Sequence, residues 1–335
     1  MEVADRHDVV VIGASAGGIP ALKSLVADLP ADLPAALLVV LHVNPATPSA
    51  LPSILTRAGS IGARHAEDGD RIQPGRILVA PPDFQMTVAN GKVRLERGPR
   101  ENGLRPAIDS LMRTAARHLG SRVVGVVLTG MLADGTVGLA AIKAAGGVTI
   151  VQDPGTAAFA SMPRHAVEGA RPDYVVPLEE LPGLLERVVA ERSEARKNGD
   201  VVERQPDRAP VEVGDDNPGQ LTAFTCPECH GTLWEVDAGG VPSFHCRVGH
   251  RYAIDALVDS QAMGAETALW AAARALEEKA SLSRRVAARL ADSGHGASAL
   301  KFERIAEDAE VQAAQVKLLI EKVEPPPLPL PVSAA

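Results

Sequence analysis

Three residues that could form an activated nucleophile stand where apolar runs end. Ser15 follows Val9–Ile12 in the loop Gly13-Ala14-Ser15-Ala16-Gly17-Gly18, His42 closes the run "AALLVVLH", and Asp134 lies in the glycine-rich loop after Val123–Leu128. A serine hydroxyl at its free pKa is a poor nucleophile. An imidazole must take its proton, and a carboxylate must hold the imidazole in the right tautomer. The serine loop fits Gly-x-Ser-x-Gly, whose small flanking residues permit a sharp strand-to-helix turn that exposes the hydroxyl beside a helix N-terminus. It lacks the glycine spacing of a dinucleotide fingerprint and the Gly-Lys-Ser/Thr of a P-loop, and His42 stands where a ribose-binding acid would end the second strand. Each residue alone has a plainer reading: Ser15 as a helix N-cap, His42 as a hydrogen-bonded loop histidine, Asp134 as a turn or cap residue. Their common place favours chemistry, because ligands of open parallel sheets bind at the carboxyl ends of the strands.

A second constellation is Cys226-x2-Cys229, sixteen residues, then Cys246-x3-His250. Two thiolates two residues apart share one tetrahedral zinc, and the second pair closes the shell at zinc-ribbon spacing. His230 and His245 are competing ligands; His245 adjoins Cys246 and is sterically awkward. Cysteines merely packed in a small hairpin are the plainer alternative. Four protein ligands leave no open position, so the expectation is a structural zinc in an interaction or targeting module, with no cofactor needed for catalysis.

The elements that must position these residues follow from periodicity. Short runs rich in Val, Ile and Leu, without polar alternation, read as strands buried on both faces: Val9–Ile12, Ala35–Leu41, Ile77–Ala80, Val123–Leu128, Val148–Val151 and Tyr174–Val176. Helical patterns lie between several of them, at Ile19–Leu29, Ser49–Arg57, Pro106–Leu119, Val137–Ala145 and Leu178–Val189. The alternation predicts an α/β fold, a doubly wound and mostly parallel sheet. Asn90-Gly91 between two alternating runs over 84–97 predicts a hairpin. The domain reading is a catalytic unit over 1–190, a flexible linker over 191–223, a zinc module over 224–252, a helical hairpin over 253–323 breaking at "SGHGAS", and a disordered Pro-rich tail over 324–335. In the second helix, Phe302, Ile305, Ala309, Val316, Leu319 and Val323 form the expected apolar stripe.

Together "IGASAGG", "LH", "ILVAPPDFQM", "RPAIDSLMRTAA", "GVVLTGMLADGTVGL" and "VQDPGTAAFASMPRHAV" resemble the catalytic domain of CheB, the chemotaxis protein-glutamate methylesterase, over residues 8 to 189. The resemblance implies Ser15 as nucleophile, His42 as base and Asp134 as orienting acid. It implies an oxyanion hole from the backbone N–H groups of Met131 and Ala16. It also implies hydrolysis of glutamate γ-methyl esters, with glutamine deamidation by the same acyl chemistry, on a methylated receptor-like partner. The contrasting reading is a scaffold that keeps the esterase fold and binds partners through the zinc and helical modules. Ala16 departs from the threonine that familiar members carry after the nucleophile. Chemotaxis members also carry an N-terminal receiver domain, for which this chain leaves no room before its first strand, so phosphorylation in cis is not expected.

Composition bounds the partners. The 335 residues carry a formal charge of -8, which argues against nucleic acid or an anionic membrane, since phosphate contacts need clustered Lys and Arg. No apolar run approaches the about 20 residues of a spanning helix, so no membrane insertion is expected. Three cysteines confined to one segment are no disulfide framework and indicate a reducing, cytoplasmic setting. Self-association is expected, if anywhere, through the C-terminal helices.

Overall fold

A computed structural model of the chain describes residues 7–43, 45, 48–190, 219–237 and 240–322. The expected linker up to residue 218 and the expected Pro-rich tail lie outside the described residues. In chain order the first part runs β1 (Val9–Ala14), α1 (Gly18–Ala27), β2 (Ala36–Leu41), α2 (Leu51–Ala58), β3 (Ala63–His65), β4 (Ile77–Val79), β5 (Gln85–Ala89) and β6 (Lys92–Glu96). It continues α3 (Ile108–Leu119), β7 (Val123–Val127), α4 (Thr136–Ala144), β8 (Val148–Gln152), α5 (Ser161–Ala170), β9 (Tyr174–Val176) and α6 (Leu181–Ala190). Seven strands form one sheet in the order β3-β4-β2-β1-β7-β8-β9, and every pair in it is parallel.

Burial explains why unalternated runs became these strands. All of β1, β2 and β7 is buried. Val10, Ile12, Leu37, Val39, Val124 and Val126 point to one face, against Leu22, Leu25, Leu185 and Val188 of α1 and α6. Val9, Val11, Leu38, Val40, Val123 and Val127 point to the other, against Ile108, Leu111, Leu139 and Ala166 of α3, α4 and α5. Strand side chains alternate faces, so both sets must be apolar when both faces are covered. The Asn90-Gly91 turn closes the β5–β6 hairpin, both residues at positive φ.

Two elements escape the periodicity reading. β3 is three half-buried residues, Ala-Arg-His, too short and polar for an apolar run. α5 carries Pro163 in its first turn, where proline is tolerated because a residue there would have no helical acceptor for its N–H.

After the undescribed segment, β10 (Gln220–Thr225), β11 (Thr232–Asp237), β12 (Pro242–Cys246) and β13 (Arg251–Ala253) form a four-stranded antiparallel sheet in sequence order. The chain to Leu257 is one compact unit, so this small sheet belongs with the large one; Val258 onward is a second unit. α7 (Ile254–Asp292) and α8 (Gly296–Ile320) carry the C-terminal helical pair. The buried seam of that pair overlaps the expected apolar stripe only in part: Ala309 is buried, and Phe302, Ile305 and Val316 are half-buried. Ala273, Ala280 and Ala287 on α7 and Ala299, Ala306, Ala313 and Ile320 on α8 are buried at seven-residue intervals, whereas Leu319 is exposed and Val323 lies outside the described residues. Alanine lets two helix backbones approach closely, and a seven-residue repeat keeps the seam on one face. Arg284 with Glu310 and Lys317 with Glu277 set the antiparallel register across it. Among the described residues no helix is long and apolar enough to cross a membrane.

Candidate active site

Ser15 and His42 leave neighbouring strands at the same level. β1 and β2 pair with Ala14 opposite Leu41, and the His42 N–H donates to the Ala14 carbonyl at 3.2 Å. β7 is the other neighbour of β1, and chain order reverses between them, which opens the crevice of a doubly wound sheet. The Ser15 N–H donates to the Thr129 carbonyl beyond β7 at 3.1 Å, and Thr129 Oγ1 donates to the Ala16 carbonyl at 3.1 Å. These bonds fasten the serine turn to the loop that carries Asp134.

Two glycines allow that approach. Gly17 turns with φ 73°, and a Cβ there would stand 3.1 Å from Phe159. A Cβ on Gly130 would lie 2.9 Å from the Cβ of Ser15 and 2.5 Å from Met162. Any side chain at Gly130 would push the serine away. The Gly18 N–H donates to the Ser15 carbonyl at 2.8 Å. Because the peptide is planar and trans, the Ala16 N–H points the opposite way, out of the turn.

His42 and Asp134 meet directly, Nε2 to Oδ2 at 2.8 Å, with Asp134 fully buried. Asp134 also accepts the Ile108 N–H (2.6 Å) on Oδ2, and the Asp109 N–H (3.1 Å) and Asn102 Nδ2 (3.0 Å) on Oδ1. Burial alone would raise this carboxyl. The His42 hydrogen bond and charge, with the two N–H groups at the start of α3, outweigh it and hold the group below the ordinary carboxylate range. Asp134 is therefore an anion aimed at His42. With Nε2–H donating to it, Nδ1 is the nitrogen left to accept a proton.

Asp109 and Asn102 were not legible from single motifs. Asp109 accepts the Gly135 and Gly138 N–H groups on Oδ1 and Asn102 Nδ2 on Oδ2. Burial, then repulsion from Asp134 and Glu101, pushes it well above the usual range. The available signal for Asn102 was a second Asn-Gly pair, Asn102-Gly103, with both residues at positive φ in a tight turn between Glu101 and Leu104.

The model of the CheB methylesterase family matches residues 10–185. The chain belongs to the CheB methylesterase family. It is 41% identical over 184 residues to the protein-glutamate methylesterase/protein-glutamine glutaminase of Pyrococcus abyssi, covering 54% of this chain and 50% of the relative. It is 37% identical over 192 residues to a putative protein-glutamate methylesterase/protein-glutamine glutaminase of Leptospira interrogans, covering 57% of this chain and all of that one. The crystal structure of the Thermotoga maritima CheB methylesterase catalytic domain superposes with a TM-score of 0.52 at 35% identity, over 54% of this chain and 98% of that one. The chain spans about half the length of its Pyrococcus relatives. The CheB match ends before the Cys/His segment.

That segment does converge. Ligand atoms of Cys226, Cys229, Cys246 and His250 all lie within 4.8 Å of one another. Cys229 Sγ is 3.6 Å from Cys246 Sγ, and His250 Nδ1 is 3.6 and 3.4 Å from Cys226 and Cys246 Sγ. A tetrahedral zinc with bonds of about 2.3 Å to sulfur and 2.0–2.1 Å to nitrogen has edges of about 3.8 and 3.5 Å, so the donor set fits. His250 Nε2 lies 3.3 Å from Glu228 Oε2, which leaves Nδ1 for the metal. His245 pairs instead with Ser243 Oγ, and His230 lies outside the cluster.

Proposed function

We propose that the protein hydrolyses glutamate γ-methyl esters on a methylated receptor-like protein, releasing methanol. The observation that carries this reading is the buried, ionised Asp134 holding His42 Nε2 at the strand edge that also presents Ser15. His42 Nδ1 takes the Ser15 proton as Oγ bonds to the ester carbonyl carbon. The N–H groups of Ala16 and Met131 receive the developing oxyanion; the Gly18–Ser15 bond supports the Ala16 orientation. The C–O bond to the methoxy group breaks, and the proton on His42 leaves with methanol. Water, deprotonated by His42, then attacks the acyl-enzyme and frees glutamate and Ser15. The same steps with an amide release ammonia, so selected glutamines are substrates too. The paired function in its relatives' names supports this.

The Cys/His module holds one structural zinc through Cys226, Cys229, Cys246 and His250, and no step of the esterase reaction passes through it. The test of the esterase reading is methanol release from a methylated receptor preparation. Ser15→Ala should lower kcat by at least about a thousandfold. Wild-type turnover in that variant would remove the mechanism.

A further inference from the structure

Asn102 spends its amide on two parts of the molecule at once. Nδ2 donates to Asp134 Oδ1 and Asp109 Oδ2, each at 3.0 Å. Oδ1 accepts the N–H of Ala253 in β13 at 2.8 Å, and the Asn102 N–H donates to the Arg251 carbonyl at 2.7 Å. The side chain is buried. Turned by 180°, the amide would set its oxygen against two carboxyl groups and its NH2 against the Ala253 N–H. Both ends therefore demand the same orientation.

The other side of this contact belongs to the Cys/His module. β13 begins at the residue after His250 and pairs with β12, which ends on Cys246. Two of the four ligands thus bracket the turn between β12 and β13, where the Gly249 N–H donates to the Cys246 carbonyl. Ala253 and Ala256 pack on Ala133 and Val137, on either side of Asp134. Beneath the ligands the module's own core is Leu233, Phe244, Tyr252 and Leu257, too few apolar residues to hold four short strands without a staple.

We propose that Asn102 is a positioning residue for the Asp134–His42 pair, and that strand β13, held by the metal-bound Cys/His module, keeps it in place, so that esterase turnover depends on the metal state of the module. The inference rests on the esterase reading. When the ligands are empty, β13 loses its anchor and the Asn102 oxygen loses its donor. The amide then no longer faces one way, and Asp134 loses one of the donors that fix its carboxylate. The ester pocket itself is untouched, so binding stays while proton transfer slows.

The test uses the full-length protein, zinc-loaded and after chelation, as wild type, Asn102→Ala and Ser15→Ala. Methanol release gives kcat and KM, metal analysis gives zinc per chain, and proton NMR follows the downfield His42 Nε2–H resonance. Chelation of the wild type should lower kcat about tenfold, the scale of one lost hydrogen bond to a charged group, with KM within about twofold, and zinc should restore it. Asn102→Ala should keep its zinc, show the same reduced kcat, and respond less than about twofold to chelation, because both changes cut one link. The His42 resonance should weaken in both. Full turnover in chelated wild type, full turnover in zinc-loaded Asn102→Ala, or effects that multiply would overturn the proposal. If chelation unfolds the large sheet, zinc-loaded Asn102→Ala decides. If the zinc-loaded wild type releases no methanol, or Ser15→Ala matches it, the esterase reading fails. The His42 resonance then decides the link by itself: unchanged on chelation, it sinks the proposal; weakened, it supports it.

Discussion

The seven-stranded and four-stranded sheets of the first unit bury their strands by different means. In the seven-stranded sheet, β1, β2 and β7 bury every residue between helices on both faces, and aliphatic area alone accounts for their order. In the four-stranded sheet, β10 has no buried residue and β11 has one. Its buried cluster includes Cys226 and Cys246, two of the four residues whose ligand atoms converge as a metal site requires. At roughly 25 cal/mol per Å2 of apolar surface, so few side chains cannot offset the chain entropy of some thirty ordered residues at about 1.5 kcal/mol each. The large sheet carries its own stability; on the proposed zinc site, the small one borrows it from ligation. Yet the site at the edge of the large sheet leans on the small one through Asn102.

If the chemistry belongs to the large sheet, Asp134→Asn should be the more damaging change. An asparagine cannot hold His42 as an anion does, so kcat should fall about ten-thousandfold or somewhat less, as for a lost triad carboxylate. Zinc content should stay at one per chain. A variant that lost its metal as well would show that the two regions cannot be separated.

Stability draws the same line. Leu38 is fully buried in β2, and Leu38→Ala leaves a cavity where neighbours on both sides are fixed. The expected cost is about 2–5 kcal/mol, read from denaturant unfolding, with zinc affinity unchanged. Cys226→Ser should do the converse. Amide exchange across β11, β12 and β13 should accelerate towards the unstructured rate, while β1, β2 and β7 keep their protection. Equal acceleration in both sheets would break the comparison.

What could be read from the sequence divides along the same boundary. Buried strands announce themselves because two covered faces demand unbroken apolar runs, and the Cys/His spacing matches the reach of one ion. Strand ends placed Ser15, His42 and Asp134 on one edge for the same reason. Asn102-Gly103 marks a turn, but the role of Asn102 is made by contacts 32 and 151 residues away in sequence, with Asp134 and Ala253, which no periodicity shows. The C-terminal seam misled differently. Ala309 of the expected stripe is buried and Phe302, Ile305 and Val316 are half-buried, but alanine wins where close approach matters more than area, leaving Leu319 outside.

The smallest predicted effect separates the two sheets by pH. Asp134 is held low by His42 and the start of α3 against its burial, Asp70 by its hydrogen bonds to Arg64, and Asp173, despite burial, by Thr149 and Lys143. A depressed carboxylate contributes stability that is present above its unfolded pKa, about 4, and is lost as pH falls through the lower folded value. Asp109 has the opposite sign: its raised value favours the folded state at low pH, and that advantage is lost as pH rises above about 4. On the acid side the depressed carboxylates therefore weaken the large sheet only below about pH 4. The Cys/His module must lose its metal earlier, because three thiolates and a neutral imidazole compete with protons for their lone pairs. Acid titration should therefore show zinc release and exposure of β11–β13 amides first, and loss of the large sheet's far-UV signal afterwards. A single transition in which metal and both sheets are lost together would mean that the module is a structural part of the large sheet's core, and that its contacts at Ala133 and Val137 matter more to the fold than its own ligands do.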